Sequence, residues 1–228
     1  MVRFIDISNW QGDINLPALL ANVDGVVCKA TEGATFVDPY CDVWIQQCIN
    51  AEKPWGFYHF AGSGDAIEEA THFIQNTINY FEHGIPVLDW EGNQSVDWVN
   101  EFVAEVYSRT HVWPWIYSNP WRFNQGGVEP NCARWVAEYP SVISPSFDMA
   151  ESWECPEAEG NVVAWQFCSD GRVSWYNGNL DCSLFYGTEK QWMAYALGDN
   201  SGGTDASADS SVSTLENDEY KVTIERKK

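Results

Sequence analysis

Ile85–Gly92, IPVLDWEG, is a short apolar run that ends in two carboxylates one residue apart. Side chains alternate across a β-strand, so Ile85, Val87, Asp89 and Glu91 share one side. That side is apolar enough to face a core, yet its last two positions are acidic. Burying carboxylates is costly unless they are partnered or have a chemical task. Read alone, DWEG is either a solvated turn closing the strand or part of a functional site.

The same pattern opens the chain. Residues 2–8, VRFIDIS, read as a strand with Val2, Phe4, Asp6 and Ser8 on one face. A short helical segment follows at Ile14–Asn22, then a second strand at Gly25–Thr31, ending at Glu32-Gly33. Asp38-Pro39 is expected to cap a helix whose Tyr40, Trp44, Cys48 and Ala51 recur at near-helical spacing. Lys53–Phe60 is a third strand. Asp65 with Glu68 reads as a variant capping box before a helix with Ala66, Ala70, Phe73, Thr77 and Phe81 inward. Beyond IPVLDWE, Ser95 caps a helix with Val99, Phe102, Val103, Val106 and Tyr107 inward. Residues 113–118, 133–139, 162–168 and 180–185 are four further strands, linked by loops or short turns such as NPWRFNQGG at 119–127.

Eight strands with good helices only in the first half predict an α/β fold. Strands alternating with helices pair in parallel through crossovers, and eight suggest an irregular, incomplete TIM-type β/α barrel. A doubly wound open sheet competes, but no GxGxxG or GxxxxGK loop follows any strand. Residues 1–198 are expected to form this one domain. Residues 199–217 are Ser/Gly/Asp/Ala-rich and read as a flexible linker. Residues 218–228 read as a tail or as the start of a truncated second, wall-binding module.

The charge of −21, from 33 acids and 12 bases, argues against nucleic acid as a partner. No stretch approaches 18 uncharged apolar residues, so no membrane insertion is expected. The start, MVRFIDISNWQG, lacks the n- and h-regions of a secretory signal, which implies a mature or cytosolic form or another export route. Seven cysteines without a CxxC pair or Cys/His spacing read as buried free thiols rather than a metal site. No cofactor is expected. Thirteen Trp, ten Tyr and eleven Phe serve mainly the core, and any left exposed would suit stacking on sugar rings.

In a barrel of this kind the strand ends meet on one rim, where such folds hold their active sites. Asp6, Asp89, Glu91 and Asp181 fall at predicted strand ends, on the first, fourth and eighth strands. The first and eighth strands are neighbours, so Asp6 and Asp181 should approach each other. No Lys or Arg is expected among the same strand ends. Clustered like charges raise the pKa of at least one member. A protonated acid beside ionised ones is what cleavage of a glycosidic bond requires.

The motifs DISNWQG (6–12), KATEG (29–33), GFYHF (56–60), PVLDWEG (86–92), WIYS (115–118), RWVAEY (134–139), AWQF (164–167) and LDCSLF (180–185) occur in this order. Together they resemble glycoside hydrolase family 25, the lysozymes that act as N-acetylmuramidases, over residues 4 to about 187. The resemblance implies Glu91 as general acid, with Asp89, Asp6 and Asp181 completing the catalytic set. It implies that Tyr58, Tyr117, Trp135, Trp165 and Gln166 line the sugar groove. Glu32 is a further rim candidate, or a capping or turn residue. His59 is expected to orient neighbours or pack, and His72, His83 and His111 to be solvated. Cys182 departs from the polar residues common after the last Asp.

The implied substrate is the β-1,4 bond between N-acetylmuramic acid and N-acetylglucosamine in peptidoglycan, and the implied partners are its glycan strands, met by a monomer at the bacterial cell wall. A phage lysin held in the host cytoplasm before release fits the missing signal, as does secretion by another route. Positions i and i+2 of a strand lie roughly 6.6 Å apart at Cα, and once the side chains move the carboxyl separation falls between those of retaining and inverting enzymes. Retention with the substrate's 2-acetamido group as nucleophile, oriented by Asp89, is the preferred reading. A chitinase-like enzyme would show DxxDxDxE, whereas Ile85, Val87 and Leu88 are apolar. A non-catalytic glycan-binding barrel would be marked by loss of Glu91, which is present. A divalent-metal site on the acidic rim is a third alternative. The acid cluster predicts an activity optimum below neutral; a rate profile flat up to pH 9 would contradict it.

Overall fold

Eight strands close into a ring because the first pairs with both the second and the last. The computed structural model describes residues 1–198 apart from residue 13. The expected linker at 199–217 and the tail or second module at 218–228 lie outside the described residues. β1 (Val2–Ile7), β2 (Gly25–Glu32), β4 (Trp55–Phe60), β5 (Ile85–Asp89), β6 (Trp115–Ser118), β7 (Arg134–Ala137) and β8 (Val162–Gly171) are parallel. β9 (Leu180–Phe185) runs antiparallel to both β8 and β1. A two-residue strand, β3 (Phe36–Val37), pairs antiparallel with the end of β2 outside the ring.

The reversal of β9 corrects the expectation of parallel pairing throughout. Only residues 172–179 separate β8 from β9, whereas a parallel return needs a crossover of about a dozen residues or more. The connection is therefore a hairpin, and β9 begins on the rim where the other strands end. Asp181, the second residue of β9, reaches the acidic rim for this reason. A parallel β9 would have carried it to the opposite end of the barrel.

Helices α1 (Leu16–Leu19), α2 (Cys41–Asn50), α3 (Ala66–Thr77) and α4 (Val96–Thr110) wrap the first half. The second half keeps only the single turns α5 (Pro120–Phe123) and α6 (Phe147–Ala150), then α7 (Glu189–Ala196), which sequence reading missed. α7 closes the lower mouth. Its Trp192 lies edge-on to Phe4 at 5.2 Å and Trp115 at 5.5 Å, and its indole N–H donates to Trp55 O at 3.0 Å. Val2, Phe4, Val27, Ile85, Val87, Trp115 and Phe185 fill the barrel interior above this plug. A second apolar layer, including Phe57, Phe73, Phe102 and Trp165, lies between strands and helices.

Local signals explain most helix starts. Asp65 accepts hydrogen bonds from Ile67 N at 2.9 Å and Glu68 N at 3.1 Å, and Ser95 accepts one from Trp98 N at 3.2 Å. Asp38 is not the cap of α2, which begins after Tyr40 without a side-chain cap. Its carboxylate instead accepts from Tyr40 N at 2.9 Å and from Asn9 N at 2.7 Å, fastening α2 to the turn after β1. Ala51 lies exposed past the end of α2. Tyr107 is turned outward and stacks on Trp113 at 4.1 Å, rather than joining the inner stripe of α4.

One polar cluster is buried between β4 and α3. Glu69 accepts from Gly62 N and Gly64 N, both at 2.7 Å, and from His59 Nε2 at 3.1 Å. A carboxylate can only accept, so His59 carries its proton on Nε2 and receives the Thr31 hydroxyl at Nδ1, 2.8 Å away. Burial pushes the His59 pKa down, which keeps the ring neutral. Glu69 is fully buried, although helical spacing on α3 did not mark it as an inward residue. Glu69→Ala strands its three donors, and the expected cost is roughly 2–4 kcal/mol. Thermal unfolding should show a Tm lower by roughly 5–15 °C; an unchanged Tm would remove the cluster from the stability of the barrel.

Candidate active site

The upper mouth of the barrel is an open pocket lined by Asp6, Asp89, Glu91, Asp181, Tyr58, Tyr117, Trp135 and Gln166 from the sequence-derived set. Lys29, Tyr139, Trp10, Gln11 and Phe60 also line it. Asp6 and Asp181 are direct partners in the β1–β9 register. Asp89 is the last residue of β5, and Glu91 stands just beyond the strand, exposed at the pocket edge.

Gln166 on β8 organises the interior side. Its Nε2 donates to Asp6 Oδ2 at 2.9 Å, and its Oε1 accepts from Tyr117 OH at 2.8 Å and from Tyr139 OH. The amide orientation follows from these partners, since the carboxylate takes the N–H and the hydroxyls take the carbonyl. Trp135 lies below, its indole N–H donating to Ser183 Oγ at 3.2 Å and its ring 4.9 Å from that of Tyr117.

The Asp89–Glu91 segment is held by its backbone. Ala61 N donates to Asp89 O at 2.9 Å, Ser118 Oγ to Trp90 O at 2.7 Å, and Arg122 Nη2 to Glu91 O at 2.7 Å. The Arg122 guanidinium also covers the Trp90 ring at 5.1 Å. Trp90 in turn donates from Nε1 to Gln94 O at 3.0 Å, and Gln94 reaches Ala61 O at 3.1 Å. Glu91 is thus anchored through its main chain, while its carboxyl lines the pocket without a hydrogen-bond partner among the described residues. Asp89 Oδ1 is buried and has no hydrogen-bond partner among the described residues.

Three of the four acids are pushed upward. Burial, then the charge of Asp181, hold Asp6 well above the usual carboxylate range, against the pull of the Gln166 hydrogen bond. Burial, then Glu91 and Asp6, raise Asp89, while Lys29 draws it back. Burial and Glu91 bring Asp181 up to about 6. At neutral pH the group therefore mixes protonated and ionised carboxyls, and it can both hold a proton and stabilise a developing positive centre.

Three expectations need correction, and two further residues join the site. The rim is not free of bases. Lys29 on β2 lines the pocket, bonded to Glu32 Oε2 at 2.5 Å and lying 4.8 Å from the Phe60 ring. It shares the inward parity of Val27 and was legible on that ground. Glu32 does not line the pocket; it is exposed and holds Lys29 from outside. A register shift between Lys29 and Thr31 ends the regular alternation of β2 there. Trp165 faces away from the groove, in the outer layer, with its indole N–H on Glu138 O at 2.7 Å. Adjacent residues of a strand project to opposite faces, so Gln166 and Trp165 could not both point inward. Tyr139, missed as a site residue, has the parity of Trp135 and Ala137. Trp10 lay unremarked inside the 6–12 motif.

A β/α barrel with a carboxylate cluster at one mouth, flanked by aromatic rings, is the architecture of a glycoside hydrolase, and this chain is one. The family model for glycosyl hydrolases family 25 matches residues 5–178, and the chain belongs to that family. Lysozyme M1 of Streptomyces globisporus is 28% identical over 218 residues, matching 86% of this chain and 71% of that protein. The autolytic lysozyme of Clostridium acetobutylicum is 28% identical over 193 residues, which span 81% of this chain and 56% of its own length. Among solved structures, the bacterial lysozyme from Streptomyces coelicolor aligns with a TM-score of 0.70 at 26% identity, covering 87% of this chain and 98% of that one.

The raised pKa of Asp181 has a consequence for stability. A carboxyl whose folded pKa of about 6 exceeds its ordinary 3.8 favours the fold at low pH, and that contribution is lost as pH rises through 6. Asp181→Asn should therefore be more stable than wild type at pH 7.5, by ~1–2 kcal/mol, or a Tm gain of roughly 2–8 °C. The gain should vanish at pH 4. Equal Tm differences at both pH values, measured by calorimetry, would contradict a raised pKa.

Proposed function

We propose that this chain is a lysozyme, an N-acetylmuramidase that hydrolyses the β-1,4 bond between N-acetylmuramic acid and N-acetylglucosamine in peptidoglycan. Glu91 is the general acid, and the reaction retains configuration through the substrate's own 2-acetamido group. The observation that carries this reading is the buried, unpartnered Oδ1 of Asp89, one residue from the exposed carboxyl of Glu91. A buried oxygen acceptor of this kind is costly unless a donor meets it, and the acetamido N–H of the bound sugar is such a donor.

Glu91 gives its proton to the glycosidic oxygen as the C1–O bond breaks. The acetamido carbonyl oxygen bonds to C1, closing a cyclic oxazolinium, while Asp89 holds the amide N–H and balances its positive charge. Glu91, now a carboxylate, takes a proton from water, which attacks C1 and reopens the ring. Of the Asp6–Asp181 pair, Asp181, ionised above about pH 6, keeps the field negative around the cationic centre, while burial and Asp181 favour the proton on Asp6. Tyr58, Tyr117, Trp135 and Gln166 shape the pocket for the sugar. The two relatives named as lysozymes support the substrate class. We place the enzyme at the bacterial cell wall, acting as a monomer on glycan strands.

Digesting purified peptidoglycan and identifying the fragments by mass spectrometry tests the assignment. New reducing ends should fall on muramic acid; ends on glucosamine, or cleavage of chitin alone, would favour the chitinase-like reading. Glu91→Gln should reduce turnover by roughly 10³-fold or more with the circular dichroism spectrum intact. Wild-type turnover in that variant would remove Glu91 from the acid role and leave a glycan-binding barrel as the better description. Asp89→Asn should cost about 10²–10³-fold. Glycan de-N-acetylated on muramic acid should resist the enzyme, and rapid cleavage of it would exclude acetamido participation.

A further inference from the structure

Of the thirteen tryptophans, three are exposed: Trp10 at 86%, Trp121 at 69% and Trp175 at 74%. All three leave the barrel at the pocket mouth. Trp10 follows β1 in the 3-10 turn Asn9–Gln11, Trp121 follows β6 in α5, and Trp175 lies in the β8–β9 hairpin. The remaining ten are buried or half-buried. An exposed indole forgoes the burial that the other ten obtain, so its confinement to one face of the barrel needs a cause.

We propose that these three rings are outer sugar sites, holding a glycan strand across the mouth beyond the bond that is cut. The inference rests on the lysozyme reading above. Strand order around the ring is β1-β9-β8-β7-β6-β5-β4-β2, so β1 and β6 stand four places apart, on opposite sides of eight. A strand running from Trp10 to Trp121 therefore crosses the mouth over Asp6 and Asp181 on one side and Asp89 and Glu91 on the other. Trp10 itself lines the pocket, which makes the platform continuous with the acid cluster. Trp175, between β8 and β9, extends the Trp10 side.

Each ring is carried on a segment fastened by its neighbours. Ser8 and Gln11 cap each other across Trp10, and Asn9 N is bound to Asp38. Beside Trp121, Phe123 is buried and Arg122 is tied to Glu91 O. In the hairpin, Val173 is buried, Tyr176 packs on the core, and Arg172 Nη1 donates to Asn177 O at 2.8 Å. Between these anchors Trp175 adopts φ 78°, a left-handed conformation that a bulky residue rarely takes. The hairpin thus spends backbone strain to present an indole to solvent. The axial C–H bonds of a pyranose make an apolar face that fits the negative face of an indole, and this chemistry selects a sugar chain as the occupant.

The test uses Glu91→Gln, which binds without cutting, titrated calorimetrically with peptide-free peptidoglycan glycan of four and of eight sugars. The eight-sugar strand should bind at least about ten-fold tighter than the four-sugar strand. Adding Trp121→Ala and Trp175→Ala should shrink that gain to within about two-fold, while Tyr at both positions should keep most of it. A length-dependent gain that survives the double Ala change overturns the proposal, as does a parent protein with no gain. Those results leave the lysozyme reading standing if wild type still creates reducing ends on muramic acid. If it creates none and neither strand binds, both fall together.

Discussion

The pairing of β9 against β1 is the contact on which the site depends. It closes the ring, and its register sets Asp6 directly opposite Asp181. Because β9 runs backward, a residue near its start meets residues near the ends of the parallel strands. The short hairpin before β9 enforces this direction, since so few residues cannot carry a parallel crossover. Closure of the sheet and assembly of the acid cluster are therefore one event.

Crowding four carboxyls at one mouth opposes folding, and the surroundings show how the barrel tolerates it. Lys29 stands among them with a positive charge, itself held by Glu32 and the Phe60 ring. Gln166 satisfies Asp6 and is satisfied by two tyrosines. The upward pKa shifts of Asp6, Asp89 and Asp181 let protons take up part of the repulsion. Beneath the mouth, the barrel interior is apolar and closed from below by Trp192. A poised proton and a low-dielectric floor arise from the same packing.

The two sides of the pocket are built differently. Asp6 and Asp181 sit on strands within the sheet ladder, whereas Glu91 sits one step beyond β5, on a segment held by Ser118, Arg122 and Gln94. The sheet ladder fixes the first pair, and main-chain hydrogen bonds fix Glu91 while its side chain lines the pocket. The aromatic residues divide likewise: most fill the core, and Trp10, Trp121 and Trp175 at the mouth are left open to solvent.

Much of this was legible in the residues alone, because side-chain alternation is a property of every strand wherever it lies. Asp6, Asp89 and Glu91 each extend an apolar strand face, and the eight motifs occur in family order. Applied to β8, β2 and the end of β7, the same rule separates Trp165 from Gln166 and gives Lys29 and Tyr139 an inward parity, although the motif likeness set Trp165 in the groove and passed over the other two. Local periodicity was enough for the eight strands of the ring and for which side chains could face inward. Tertiary structure alone decided the direction of β9, the plug formed by α7, the register shift that ends alternation at Thr31, and the approach of Lys29 to Asp89. Those features depend on contacts between segments far apart in the chain, and no local pattern encodes which distant strand a residue will meet.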